Sequence, residues 1–323
     1  MSDSSKERQH YVQCKYLQKW ADKDTRSGRV LVNSKDEKVK NKPIGVNDLC
    51  VEGYFYDASS LTEVDIFLMN LITKDLRVSN SRMEFTNEML EELKKSKDFV
   101  EKNVASKIEN INNLYCFIDR MIEGDTSFYK DTQLVSLYKQ VLFHLNTALY
   151  GDKVDNEKLK SIQEDFNNRK EEDNTKFDFL LFFYYQYFRT KRNRDLLVSI
   201  YSNFIKVNPQ FNKCNLNNVA ILNYIKMSYV TAYNTDLMNT HIVIYKNRSD
   251  VKYVTADCPI APIKLSTGNS AYIYPLSPEC LVKLNLWMGD NKVLEATENE
   301  VNQFNTIISD LALNQIYSKF NVD

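Results

Sequence analysis

Apolar and polar positions repeat with two different periods along this chain. From Leu61 to about Asn239 the spacing is helical. In "LTEVDIFLMNLITKDLRV", Val64, Phe67, Leu68, Leu71 and Ile72 fall on one stripe, with Ser60 or Thr62 as the N-cap. The same period returns in "EFTNEMLEELKKSKDFVEKNV", "SKIENINNLYCFIDRMI" and "TQLVSLYKQVLFHLNTALY", and in the very polar "NEKLKSIQEDFNNRKEEDN". "KFDFLLFFYYQYFRTKRNRDLLVSIYSNFI" opens apolar nearly all round, which predicts a central helix. After about Thr240 strict alternation takes over. "HIVIYKNRSDVKYVTAD" predicts two strands joined as a hairpin at Asn247–Asp250, and "AYIYPLSPECLVKLNLW" predicts more strand about a proline-fixed turn. A helix over "ENEVNQFNTIISDLALNQIYSKF" ends the chain. At the other end, a short helix from about Val12 to Lys23 precedes two or three short strands in "GRVLVNSKDEKVKNKPIGVNDLCVEGYFYD".

Composition sharpens this picture. Glycine and proline are scarce, 7 and 6 in 323 residues, and four of the prolines (Pro259, Pro262, Pro275, Pro278) crowd one segment near the C-terminus. Long helices and a differently built C-terminal part follow. The expected fold is a single α+β domain over 1–323, predominantly helical. Residues 1–60 are mixed, 61–239 helical, 240–290 strands and 291–323 a terminal helix. Short strands from both chain ends are expected to meet in one sheet.

With 43% hydrophobic and 12% aromatic residues the chain has ample material for a core. The 42 basic and 43 acidic residues balance, against non-specific coating of nucleic acid or an anionic membrane. The longest apolar run, "FLLFFYYQYF", falls far short of the roughly 20 residues that span a bilayer. The polar N-terminus shows no secretory signal, and the six cysteines lack C-x-x-C spacing. A soluble protein of the reducing cytoplasm, without membrane, metal or cofactor, is the expectation.

Glycine-rich phosphate loops, H-E-x-x-H, G-x-S-x-G and spaced Cys/His sets are all absent. Three histidines remain. His144 lies in the apolar "VLFHLNTALY" and suits a core position; His241 opens a strand and suits an edge or cap. His10 differs. In "RQHYVQCKYL" its neighbours Tyr11, Val12, Tyr16 and Leu17 recur at helical intervals as packing residues, and His10 is left over at the helix start.

Three separated stretches carry a resemblance. "HYVQCKYLQKWAD" resembles the opening H-Y-V-P-x-x-Y-L of domain-of-unknown-function family 4238. "FYYQYFRTKRNRD" is similar to that family's Q-x-x-R-T-P-x-x-R helix. "YVTADCPIAPI" with "YIYPLSP" is similar to its F-x-T-S-D-x-P and P-L-[ST]-P segments. The matches keep the family's order. Gln13 and Lys191 stand where the family has proline, which alters backbone rigidity, and Ala256 stands where it has serine, which removes a hydroxyl. The resemblance implies which positions matter and no reaction.

Those positions assemble into a candidate constellation. On one helix Gln186, Thr190 and Arg194 fall at i, i+4 and i+8, with Arg189 beside Gln186, and Lys191 and Arg192 add charge. Guanidinium forks suit phosphate or carboxylate, although basic residues also suit a solvated helix end. Asp257 follows a strand, where a carboxylate can orient an imidazole, pair with an arginine or cap a turn. Cys258 beside it makes a poor nucleophile, since an acidic neighbour raises a thiol pKa. The aromatic block from Phe177 to Phe188 suits core better than base stacking.

The set His10, Arg189 and Asp257 as catalytic residues, with Lys15, Gln186, Thr190 and Arg194 binding substrate, is enough for metal-free phosphodiester cleavage. RNA or another phosphate-containing ligand is the expected partner, and a stress or antiviral effector the expected setting. The same set equally suits a non-enzymatic protein that binds an anionic ligand, a protein partner or a second copy of itself. A metal-dependent nuclease using Glu52 or Glu63 beside Asp257 is a weaker third reading, because the spacing matches no known ligand set.

Overall fold

The computed structural model describes residues 8–22, 27–36, 38–53, 62–65, 67–68, 111–124, 175–237, 240–265, 268, 270–286 and 290–319. The helices expected within 73–110 and 125–174, and His144 with them, lie outside the described residues. The strands are β1 (Arg8–His10), β2 (Arg29–Ser34), β3 (Lys42–Gly45), β4 (Val51–Gly53), β5 (His241–Asn247), β6 (Thr255–Ala256), β7 (Ala261–Lys264), β8 (Ser270–Ser277), β9 (Cys280–Asn285), β10 (Lys292–Ala296) and β11 (Gln315–Ser318). The longer helices among the described residues are α1 (Cys14–Leu17), α2 (Ile111–Ile122), α3 (Thr175–Phe188), α4 (Lys191–Val207), α5 (Leu216–Leu237) and α6 (Glu298–Leu311). Short 3-10 turns follow α1 and α4 and precede β4.

The expectation of a predominantly helical fold with a single sheet is overturned. Among the described residues about 47% is helix and 27% strand, and the strands form three sheets of two, four and five members. The physical reason lies in which strand faces are apolar. In β5, Ile242 and Ile244 join the main core while Val243 and Tyr245 join a second one; β9 divides the same way between Val282 and Leu284 and Leu281. A sheet apolar on both faces needs a layer on each side. The five strands, in order β10-β5-β9-β8-β7, accordingly carry the main core on one face and α6 on the other. β10 runs parallel to β5 and the remaining pairs are antiparallel.

The four-stranded sheet, β3-β2-β11-β6, is wholly antiparallel, and β1 pairs only with β4, placing His10 opposite Val51. The hairpin expected between residues 241 and 257 does not form. The Asn247 side chain closes a local turn instead, accepting from the Ser249 N–H at 2.9 Å and donating to the Val251 carbonyl at 2.8 Å. β6 is thereby sent to the other sheet, where it pairs with β11. The C-terminal helix also stops short. α6 starts from a capping box of Thr297 and Glu300 and ends at Leu311, where the Lys35 ammonium caps the Asp310 and Ala312 carbonyls and Arg192 caps that of Leu311. The chain then turns into β11.

α3 is central, as its all-round apolar pattern predicts, with the eight consecutive positions from Phe179 through Gln186 all buried and Phe177 buried before them. It packs on α2 through Phe117 and Phe179, stacked at 4.3 Å, and edge-on against Tyr272 and Tyr274 of β8. The Tyr16 hydroxyl joins the N-terminal segment to this layer, 2.6 Å from both the Pro275 carbonyl and the Thr255 hydroxyl. Thr62 opens its helix as expected, with a reciprocal pair of bonds to Asp65. The stripe behind it divides, since Leu68 is buried and Phe67 exposed.

Candidate functional site

The β1–β4 ribbon, the junction of α3 with α4, and the turn after β6 come together at one place. Arg189 is buried at the end of α3. It donates from Nη2 to the backbone carbonyl of His10, and its guanidinium lies 5.3 Å from the centre of the Tyr185 ring. Gln186, also buried, donates to the next carbonyl, that of Tyr11, at 3.4 Å. The arginine fork and the amide on one helical turn thus hold the backbone of residues 10 and 11. The His10 ring is partly buried, and Nδ1 lies 2.9 Å from the Leu49 carbonyl. A carbonyl only accepts, so Nδ1 carries a proton, and in the neutral ring Nε2 is the basic atom.

Thr190 does not continue the α3 face. Its extended backbone, ψ 150°, makes it the N-cap residue of α4, and its hydroxyl bonds back to the Tyr187 carbonyl at 3.3 Å. Gln186, Thr190 and Arg194 therefore belong to two helices and not to one stripe. Arg194 and Lys191, from the first turn of α4, both reach Glu52 of β4, at 2.5 and 2.6 Å. Burial would raise the Glu52 pKa, but the bonds from Lys191 and Arg194 outweigh it and hold the carboxyl below its ordinary range. Lys15 is exposed on α1, and no bond from it to this cluster is seen among the described residues.

Asp257 is 2% exposed, and its carboxylate accepts the backbone N–H groups of Leu313, Asn314 and Gln315 at 2.8, 2.8 and 3.1 Å. It fastens the turn between α6 and β11. Burial raises its pKa, and the three N–H groups offset only part of that. Around it Tyr11, Cys50, Cys258 and Tyr317 form a buried cluster, with Cys50 Sγ 3.0 Å from the Tyr317 hydroxyl. Burial, reinforced by Asp257, pushes the Cys258 thiol up to about 12. Such a thiol is almost wholly protonated near neutrality and a poor nucleophile. Cys50 is raised by burial too, and holds a left-handed backbone at φ 50°.

His241 opens β5, which lies inside its sheet between β10 and β9, with Nε2 2.9 Å from Asn285 of β9. Among the described residues no group of three His, Cys, Asp or Glu side chains is placed to hold a metal ion. Glu63 is exposed, and Glu52 and Asp257 are taken up as described. Sequence reasoning named Glu52 only as a metal ligand and missed it as the counter-ion of Lys191 and Arg194. Nothing local signals that role, because it depends on β4 pairing with β1 across some forty residues. Tyr11 and Tyr317 were missed in the same way, each looking like one more core aromatic.

The chain is thus an α+β protein in which a helix–helix junction clamps an N-terminal histidine strand beside a sheet shared by both ends of the chain. It belongs to the family described as "Protein of unknown function (DUF4238)", whose pattern it matches over residues 8–320. No curated protein and no solved structure matches it. Among the described residues no helix is long and apolar enough to cross a membrane.

Proposed function

We propose that this protein is a metal-independent phosphodiester hydrolase acting on RNA, with His10 as its acid–base group. The observation that carries the reading is the double hold on His10. Leu49 fixes the ring through Nδ1, and Arg189 fixes the backbone of the same residue. An imidazole held at Nδ1 and partly open to solvent presents Nε2 for proton transfer. In such a cleavage Nε2 takes the proton of the ribose 2′-hydroxyl, whose oxygen bonds to phosphorus as the bond to the 5′-oxygen breaks. The 5′-oxygen leaves with a proton from water, and a further water opens the 2′,3′-cyclic phosphate. Arg189 and Asp257 enter this reading as positioning residues, since both are buried and bonded to backbone. Lys191 and Arg194 would take a phosphate in place of the Glu52 carboxylate that they hold. An effector that cuts RNA under stress or viral attack is the setting such an activity serves.

A second reading, a protein that binds an anionic ligand without turnover, is favoured by the Glu52 clasp. There a carboxylate already occupies the position between two cations that a ligand anion would take.

One experiment separates the two. Wild-type protein and His10→Ala are incubated with single- and double-stranded RNA, transfer RNA, DNA and nucleotides, with and without chelator. The hydrolase reading expects chelator-resistant RNA cleavage, lost in a His10→Ala protein whose circular dichroism is unchanged. Absence of product from the wild type, or equal activity in the variant, overturns it. Saturable RNA or nucleotide binding that Arg194→Ala abolishes, with no product, establishes the second reading.

A further inference from the structure

The outer side of α4 is apolar where it meets solvent. Leu196 is 57% exposed, Ile200 50% and Val207 77%, while Tyr201 on the opposite side is fully buried. At ~100° per residue these three and the exposed Asn203 fall in a stripe about 60° wide. Exposed Arg192, whose guanidinium donates to the Leu311 carbonyl, stands at one edge of the stripe beyond its first apolar residue, and exposed Asp195 and Lys206 flank the stripe. Asp195 and Lys206 stand three helical turns apart on the same side of it, one near each end. The opposite flank, Asn193, Leu197 and Phe204, is uncharged.

That charge pattern selects an occupant. A two-fold axis across the helix turns it end for end and sets each flank against itself, so Asp195 meets Lys206 of a second copy at one end and the reverse pair forms at the other. A parallel copy would instead set the charged flank against the uncharged one. The same axis brings Leu196 beside Val207 of the other copy and Ile200 close to its own counterpart near the centre, where Ser199, Ser202 and Asn203 are small enough for close approach. Asp195 already lies 3.6 Å from Lys191 and 3.3 Å from Arg194, but its side chain is 52% exposed. We propose that a second copy of this chain docks antiparallel on the Leu196–Val207 face of α4, forming an isologous dimer with reciprocal Asp195–Lys206 pairs.

Sedimentation of the full chain from nanomolar to high micromolar concentration tests this. The expected result is a reversible monomer–dimer equilibrium. Ile200→Asp, an exposed substitution whose fold circular dichroism checks, should weaken it about 30-fold or more, as the loss of a central contact does. Asp195→Lys and Lys206→Asp should each weaken it, and the doubly swapped chain should regain most of the loss. A wild-type chain that stays monomeric leaves the stripe to another partner and overturns the proposal. So does a dimer indifferent to Ile200→Asp, or a double swap no better than its single variants.

Discussion

Replacing Asp257 by alanine removes the acceptor of three consecutive backbone N–H groups at once. A bond to a charged acceptor contributes ~1.5–3 kcal/mol, and a buried donor left without one costs about 1–3 kcal/mol. Two effects reduce the sum. Leu313 and Gln315 are only half-buried and Asn314 is exposed, so water can replace part of the loss, and removal of a buried charge returns some free energy. We predict a net destabilisation of ~3–4 kcal/mol for Asp257→Ala. Asp257→Asn keeps an oxygen for two of the three donors and should lose only ~1–2 kcal/mol. Urea unfolding at pH 7, comparing midpoints at constant slope, reads both values.

The pH dependence adds a sign. The Asp257 pKa is raised in the folded protein, so just above the ordinary value near 3.8 the native state binds more protons than the unfolded one. Stability from this group therefore falls as pH rises through that window, and the Asn variant lacks this slope. An alanine variant within ~0.5 kcal/mol of wild type would show that the three bonds do not hold the α6–β11 turn.

Two further predictions concern the neighbouring groups. Glu52→Gln should destabilise by ~0.5–1 kcal/mol, because its two ion pairs are partly exposed. Glu52 has a lowered folded pKa, so its contribution is full above the unfolded value near 4.5 and fades as pH falls through the folded one. A wild-type minus variant difference that instead grows in acid would contradict the pairing. For the thiols, a reagent at pH 8 should modify exposed Cys116 quickly and Cys214, Cys258 and Cys280, all pushed up to about 12 by burial, much more slowly. One fast phase counting all six cysteines would sink that ordering.

What could be read from residues alone was whatever a short window contains. The apolar surround of α3, the Pro278–Glu279 hairpin between β8 and β9, and the Thr62 cap are all decided within a few positions. The misreadings share one cause. Alternation in 241–257 marks strands but not partners, and Asn247 diverts the second strand to β11. Helical spacing in "DLALNQIYSKF" continues past Leu311, but Lys35, Arg192 and Asp257 end the helix from far along the chain. The site divides likewise. Ordered motifs pointed to residues 10, 186, 189 and 257, whereas the atoms each one touches, a carbonyl here and an N–H there, could be known only once the segments were in place.

The position of β11 between β2 and β6 has a consequence for biosynthesis. β2 is translated early and can pair at once with β3, yet its other edge is satisfied only by β11, about 280 residues later. At roughly 5–20 residues per second, that edge stays open on the ribosome for on the order of 15–60 s. An unpaired strand edge is a template for other nascent chains, so this interval is when the protein is most exposed to misassembly. Its high contact order makes the closing step slow even after release. A chaperone that shields the β2–β3 edge, more than one that shelters the aromatic helices, should raise the yield of folded chain.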